Sequence, residues 1–173
     1  MAEFRALWIE RCERNLYLDS APATGLRVRY QEGLKSDLLA DVKTLVAYLR
    51  KHYYFPIRCN IMISSHITYR SEVDGHKYVG VFYDNKNACP NRMIYPQIFV
   101  CGGTDEKHCM DDVLVTLLHE LSHYFQWYFM EDGRRTDRSL EMEANKWAYY
   151  VMGCYRLQHP SAEELGTEKT EDT

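Results

Sequence analysis

Between about Asp111 and Met130 the chain is apolar around most of a helical circumference. Leu114, Leu118, Leu121 and Phe125 fall on one stripe, with Val113 and Leu117 beside it. A helix of this kind must be covered on several sides, so the other elements have to be arranged around it. Glu131-Asp132-Gly133 marks its expected end, because a glycine after the last periodic residue stops a helix.

The flanking segments supply the cover. Ser36 is a good N-cap, and Leu38, Val42, Leu45 and Leu49 recur at helical spacing, with Leu39 and Val46 widening the stripe. This predicts an amphipathic helix of about four turns that ends before Pro56. The period then changes. Residues 57–69 and 77–83 are rich in Ile, Val, Tyr, Phe and Thr, and Asp74-Gly75 between them is a hairpin signal, so two antiparallel strands are expected. Residues 92–100 read as a further strand whose Pro96 removes a ladder donor, which places it at a sheet edge or on a bulge. A basic loop at 134–138 leads to Ser139 as the expected N-cap of a last helix running to about Cys154, before Pro160. The order defines an α+β fold, a small antiparallel or mixed sheet packed on the central helix and its flanking helices.

The chain has 173 residues, the length of one domain, and residues 1–159 are read as that domain. The net charge of -4 comes from 25 acidic and 21 basic residues, and the segment 160–173 carries the imbalance in Glu163, Glu164, Glu168, Glu171 and Asp172 against Lys169. That segment is expected to be a solvated, disordered tail. The neutral body offers no basic stripe for a phosphate backbone, which argues against nucleic acid as a partner. No apolar run approaches the roughly 18 to 20 residues of a membrane span, and the charged start lacks a signal-peptide core, so a cytoplasmic protein without membrane contact is expected. Six cysteines (Cys12, Cys59, Cys89, Cys101, Cys109 and Cys154) form no CxxC pair and are expected to be reduced there.

Within the central helix stands His119-Glu120-Leu121-Ser122-His123. The i, i+4 spacing puts both imidazoles on one face, one turn apart, where they can reach a single cation of zinc size. Glu120 lies one residue round and can address a water as general base without being a ligand. The bland alternative is two histidines that merely stack. Catalytic zinc takes three protein ligands, and the last helix offers Glu141 and Glu143. Glu141 shares a face with Ala144, Asn145 and Ala148, short side chains that permit close helix approach, whereas Glu143 shares one with bulky Trp147 and Tyr150. Glu141 is therefore the expected third ligand, with Glu143 the alternative, and Asn145 can hydrogen-bond a ligand imidazole.

These residues carry a resemblance. HELSH followed by Glu141-Met142-Glu143-Ala144-Asn145-Lys146-Trp147-Ala148 resembles the gluzincin type of zinc metallopeptidase, and more narrowly the compact ImmA/IrrE-like peptidases, whose second motif reads E-x-E-A-N-x-F-A. The match spans about Leu114 to Met152, with Trp147 where the family has Phe. It implies a minimal zincin-like fold, Zn2+ held by His119, His123 and Glu141, Glu120 as base, and a peptide or protein as substrate. By the same resemblance the strand at 92–100 would present that peptide by edge pairing. Tyr128, Tyr149, Tyr150 and His159 are candidates for stabilising the oxyanion, and Cys101 or Cys109 for a fourth, redox-controlled ligand. Two other functions stay open: a non-catalytic module that zinc only pins together, and a SprT-like DNA-linked protease whose third ligand would be a histidine, for which His159 is the one late candidate.

Overall fold

The computed structural model describes residues 25–71, 75–84, 95–129 and 135–161. The expected helix stop at 131–133, Asp74 of the turn, Cys12, Cys89 and all but the first two residues of the acidic segment lie outside them.

Leu26–Tyr30 forms strand β1, and Ser36–His52 forms helix α1. Strand β2 is Cys59–Ser64. Two short pieces, β3 (Tyr69–Arg70) and β4 (Lys77–Tyr78), pair as an antiparallel hairpin. Its turn closes through Gly75 N–H to Ser71 C=O at 3.0 Å, and Gly75 sits at φ +74°, a conformation that glycine adopts without steric cost. Strands β5 (Gly80–Tyr83) and β6 (Gln97–Cys101) precede helix α2, Met110–Phe129, and helix α3, Asp137–Gln158.

The main sheet runs β1-β2-β6-β5. Strands β1, β2 and β6 are parallel, and only β5 is antiparallel to its neighbour. The architecture is α+β with a small mixed sheet, and it corrects the expectation of consecutive antiparallel strands. Helix α1 is the crossover that lets β1 and β2 run parallel, as such a pairing requires. Strand β6 is interior, not an edge, because Pro96 stands one residue before it, where its missing N–H costs no ladder bond. The Pro96 carbonyl instead accepts from Asn60 N–H at 2.9 Å. The outer strand on that side is β5.

Alternation places Cys59, Ile61 and Ile63 of β2 and Ile98 and Val100 of β6 on the buried face. The α1 stripe Leu38, Val42, Leu45, Val46 and Leu49 is buried as its spacing predicts. Helix α2 packs against β5, β6, α1 and α3, so it is the central element. Tyr53, Phe55, Phe125 and Trp147 tie its lower half together: Phe125 lies 5.4 Å from Phe55 and 5.8 Å from Trp147, ring centre to ring centre. Each such pair adds about 0.5–1.5 kcal/mol beyond area burial.

Caps differ from expectation in detail. Helix α1 starts at Ser36, but its cap position is Lys35, and the Ser36 hydroxyl turns to Asp37. Helix α3 begins earlier and ends later than predicted: Thr136 is its cap, accepting from Ser139 N–H at 3.3 Å. Among the described residues no helix is long and apolar enough to cross a membrane.

Candidate metal centre

Helix α2 turns His119 and His123 to one side, stacked one turn apart with ring centres 4.7 Å apart and planes near perpendicular. Helix α3 crosses beside them. Ala144 and Ala148 are fully buried in that contact, and their small side chains bring Glu141, near the start of α3, over the two rings. Glu141 Oε2 lies 3.3 Å from His119 Nε2, Glu141 Oε1 lies 3.3 Å from His123 Nε2, and the two Nε2 atoms are 3.1 Å apart.

The far nitrogen of each ring is held by an amide. His119 Nδ1 is 3.0 Å from Asn145 Oδ1, and His123 Nδ1 is 2.9 Å from Gln126 Oε1. An amide oxygen can only accept, so both Nδ1 atoms carry the proton and both Nε2 atoms present lone pairs. Two lone pairs and a carboxylate facing one another within hydrogen-bond distance repel unless a cation lies among them. A tetrahedral ion with ligand bonds of about 2.0–2.1 Å has ligand atoms roughly 3.3–3.4 Å apart, close to the separations found here. The donor set fits zinc in type as well as in spacing. Among the described residues no other trio of His, Cys, Asp or Glu converges in this way.

Glu120 is buried against strand β5 and accepts from the Phe82 backbone N–H. Burial, reinforced by the Glu141 charge, pushes its carboxyl up to about 8 against that hydrogen bond. Burial and the neighbouring His123 ring also lower the His119 pKa, which keeps that imidazole neutral and available as a ligand.

Two grooves meet at this point and share Tyr78, Gly80, His119 and Glu120. One, of about 800 Å³, is walled by Val81, Phe82, Trp127 and Leu140. The other, of about 520 Å³, is walled by Lys77, Lys107, His108, Asn145 and Tyr149.

His119, Glu120, His123, Glu141 and Asn145 thus come together in space. Glu143 does not join them: it is buried and accepts from Gln126 Nε2 at 2.9 Å and Arg135 Nη1 at 2.8 Å. Of the suggested oxyanion donors Tyr149 lines one of these two grooves, and His159 stacks on Tyr155 at the far end of α3. Cys101 is buried with its Sγ near Tyr78 C=O, Cys109 is exposed, and neither belongs to the trio. Gln126 and Tyr78 were not singled out in the sequence. The i, i+3 spacing of Gln126 from His123 was the available signal for the first, and nothing marked Tyr78 among 14 tyrosines. Comparison of the chain with protein-family models, curated proteins and solved structures finds no match.

Proposed function

We propose that this chain is a zinc-dependent metallopeptidase of the ImmA/IrrE-like type, acting in the cytoplasm on an extended peptide. The observation that carries the reading is the trio of His119, His123 and Glu141 donor atoms at 3.1–3.3 Å, with both distal ring nitrogens held by amide oxygens. His119, His123 and Glu141 would hold zinc, which would supply Lewis acidity for a carbonyl and lower the pKa of a water toward ~7. Glu120, buried one residue round the helix from His119, is the proposed base that takes a proton from water and hands it to the leaving amine. The Phe82 N–H keeps that carboxylate aimed. Strand β5 is the outer strand and lies along the shared groove, so an extended peptide can pair with it and cross the site. Tyr78 lines both grooves and Tyr149 the second, and these two phenols are the candidates for steadying an oxyanion.

Metal analysis of purified protein should find about one zinc per chain, lost in His119→Ala and in Glu141→Ala. A fluorogenic peptide pool should be cut by the wild type, and Glu120→Gln should retain zinc while losing about 10²- to 10⁴-fold in rate. Zinc bound with equal, negligible turnover in both proteins would instead favour a non-catalytic module pinned by metal. Absence of zinc from the wild type after loading would remove the reading altogether.

A further inference from the structure

Glu143 is a buried carboxylate close to the site that takes no part in holding the metal. Burying a carboxylate costs several kcal/mol unless it is paired and fully hydrogen-bonded. Here the pairing is specific. Glu143 Oε2 accepts from Arg135 Nη1 at 2.8 Å and from Gln126 Nε2 at 2.9 Å. Gln126 Nε2 also donates to the Leu140 carbonyl at 3.0 Å. Both neighbours of that amide end are pure acceptors, so the nitrogen must face them and the oxygen must face the other way, toward His123 Nδ1 at 2.9 Å. Arg135 is itself fixed at the start of α3, with Nη2 on the Ser139 carbonyl and hydroxyl.

We propose that Gln126, Glu143 and Arg135 form a positioning relay for His123, in which Glu143 fixes the orientation of the Gln126 amide and Gln126 in turn fixes the tautomer and ring angle of His123. The role rests on the metal reading above, with His123 as a ligand. An amide reversed by half a turn would offer N–H to His123, force the proton onto Nε2 and remove the lone pair from the trio. Glu143 makes that reversal unfavourable by setting a charged acceptor against the end that must donate. The second glutamate of the E-x-E segment therefore acts on the metal site through Gln126, while the first reaches it directly.

The test uses the full chain with two variants, Gln126→Leu and Glu143→Gln, measured well below their melting temperatures. Zinc dissociation constants by chelator competition should rise about 10- to 100-fold for Gln126→Leu, the usual loss on removing such an orienting group, and by a smaller factor for Glu143→Gln. Nitrogen-15 spectra of the metal-free, neutral form should show the His123 proton on Nδ1 in the wild type and a shift toward Nε2 in both variants. A purely structural pin between α2 and α3 would lower the melting temperature and leave both readouts unmoved. Wild-type affinity in both variants, or a wild-type His123 protonated on Nε2, overturns the relay. If the wild type binds no zinc, the metal reading fails by itself, and the tautomer still decides whether Gln126 holds the ring.

Discussion

Gly80 of β5 lies directly against α2. A Cβ there would lie 2.6 Å from Thr116 Cγ2, 2.8 Å from Glu120 Oε1 and 2.9 Å from Glu120 Cγ. Thr116 is β-branched within a helix and has few ways to yield, so either the strand or the Glu120 carboxylate has to move. Gly80→Ala is expected to cost about 1–3 kcal/mol of stability, the usual penalty for an added methyl in a packed contact. It should also lower kcat/KM by at least ~10-fold with zinc content unchanged, because the proposed base is displaced and the proposed ligands are not. Thermal melts and peptide kinetics on the same preparation check both; full kcat/KM would mean that β5 does not set the position of Glu120. Single residues were legible in proportion to how local their signal is. His119, Glu120, His123, Glu141 and Asn145 announce themselves by spacing along one helix or the next. Gln126 stands at i+3 from His123, but the Leu140 carbonyl and Glu143 that fix its orientation reach it from another helix, and no pattern along α2 encodes that.

Helices were read well and strands less well, for a physical reason. The stripes of α1 and α2 are periodic over three or more turns, whereas a strand of four to six residues offers few repeats. Strand β1 does alternate, with Leu26, Val28 and Tyr30 separated by Arg27 and Arg29, but its partner is β2 on the far side of a helix. The local hairpin signal at Gly75 is genuine and belongs to the small β3–β4 pair, so the main sheet had no comparable marker. Beside the apolar core, a charged cluster joins the three helices. Arg156 of α3 donates to Asp41 of α1 at 2.9 Å and also to Asp111 of α2, and Tyr155 OH reaches Asp41 as well. Arg156 is nearly buried while both aspartates are partly exposed, so the solvent screens part of the attraction. Arg156→Ala should therefore cost about 2 kcal/mol, lowering the melting temperature by roughly 4–8 °C in a chain of this size. Arg156→Lys should restore little, since one ammonium lacks the planar fork that spans two carboxylates. Unchanged zinc affinity in both variants is expected. Weaker binding would show that the three-helix junction, and not only the α2–α3 contact, sets the metal site.

Over the whole molecule, the two grooves that meet at His119 and Glu120 differ in chemistry, and under the proposed function that difference would orient a peptide. Val81, Phe82, Trp127 and Leu140 give one groove an apolar wall suited to a large hydrophobic side chain. Lys77 and Lys107 put two cations on the other. Asp112 opposes them there, but its carboxylate already accepts from Cys109 N–H at 2.8 Å and sits 3.8 Å from His108 Nδ1, so part of its charge is engaged. A peptide laid along β5, as proposed, would therefore meet apolar surface on one side of the scissile bond and positive charge on the other. A randomised peptide library is expected to show enrichment of aromatic or aliphatic residues on one side and of acidic residues, or a free carboxyl terminus, on the other. Exposed cations contribute about 0.2–1 kcal/mol each, so the acidic preference should be several-fold, should weaken in high salt, and should invert when Lys77→Glu and Lys107→Glu are combined. Trp127→Ala should relax only the apolar side. Because His119, His123, Glu141 and Glu120 are untouched by the lysine exchange, the double variant should match the wild type on a neutral peptide under the proposed function. An acidic preference surviving that exchange would mean that charge elsewhere on the chain selects the substrate.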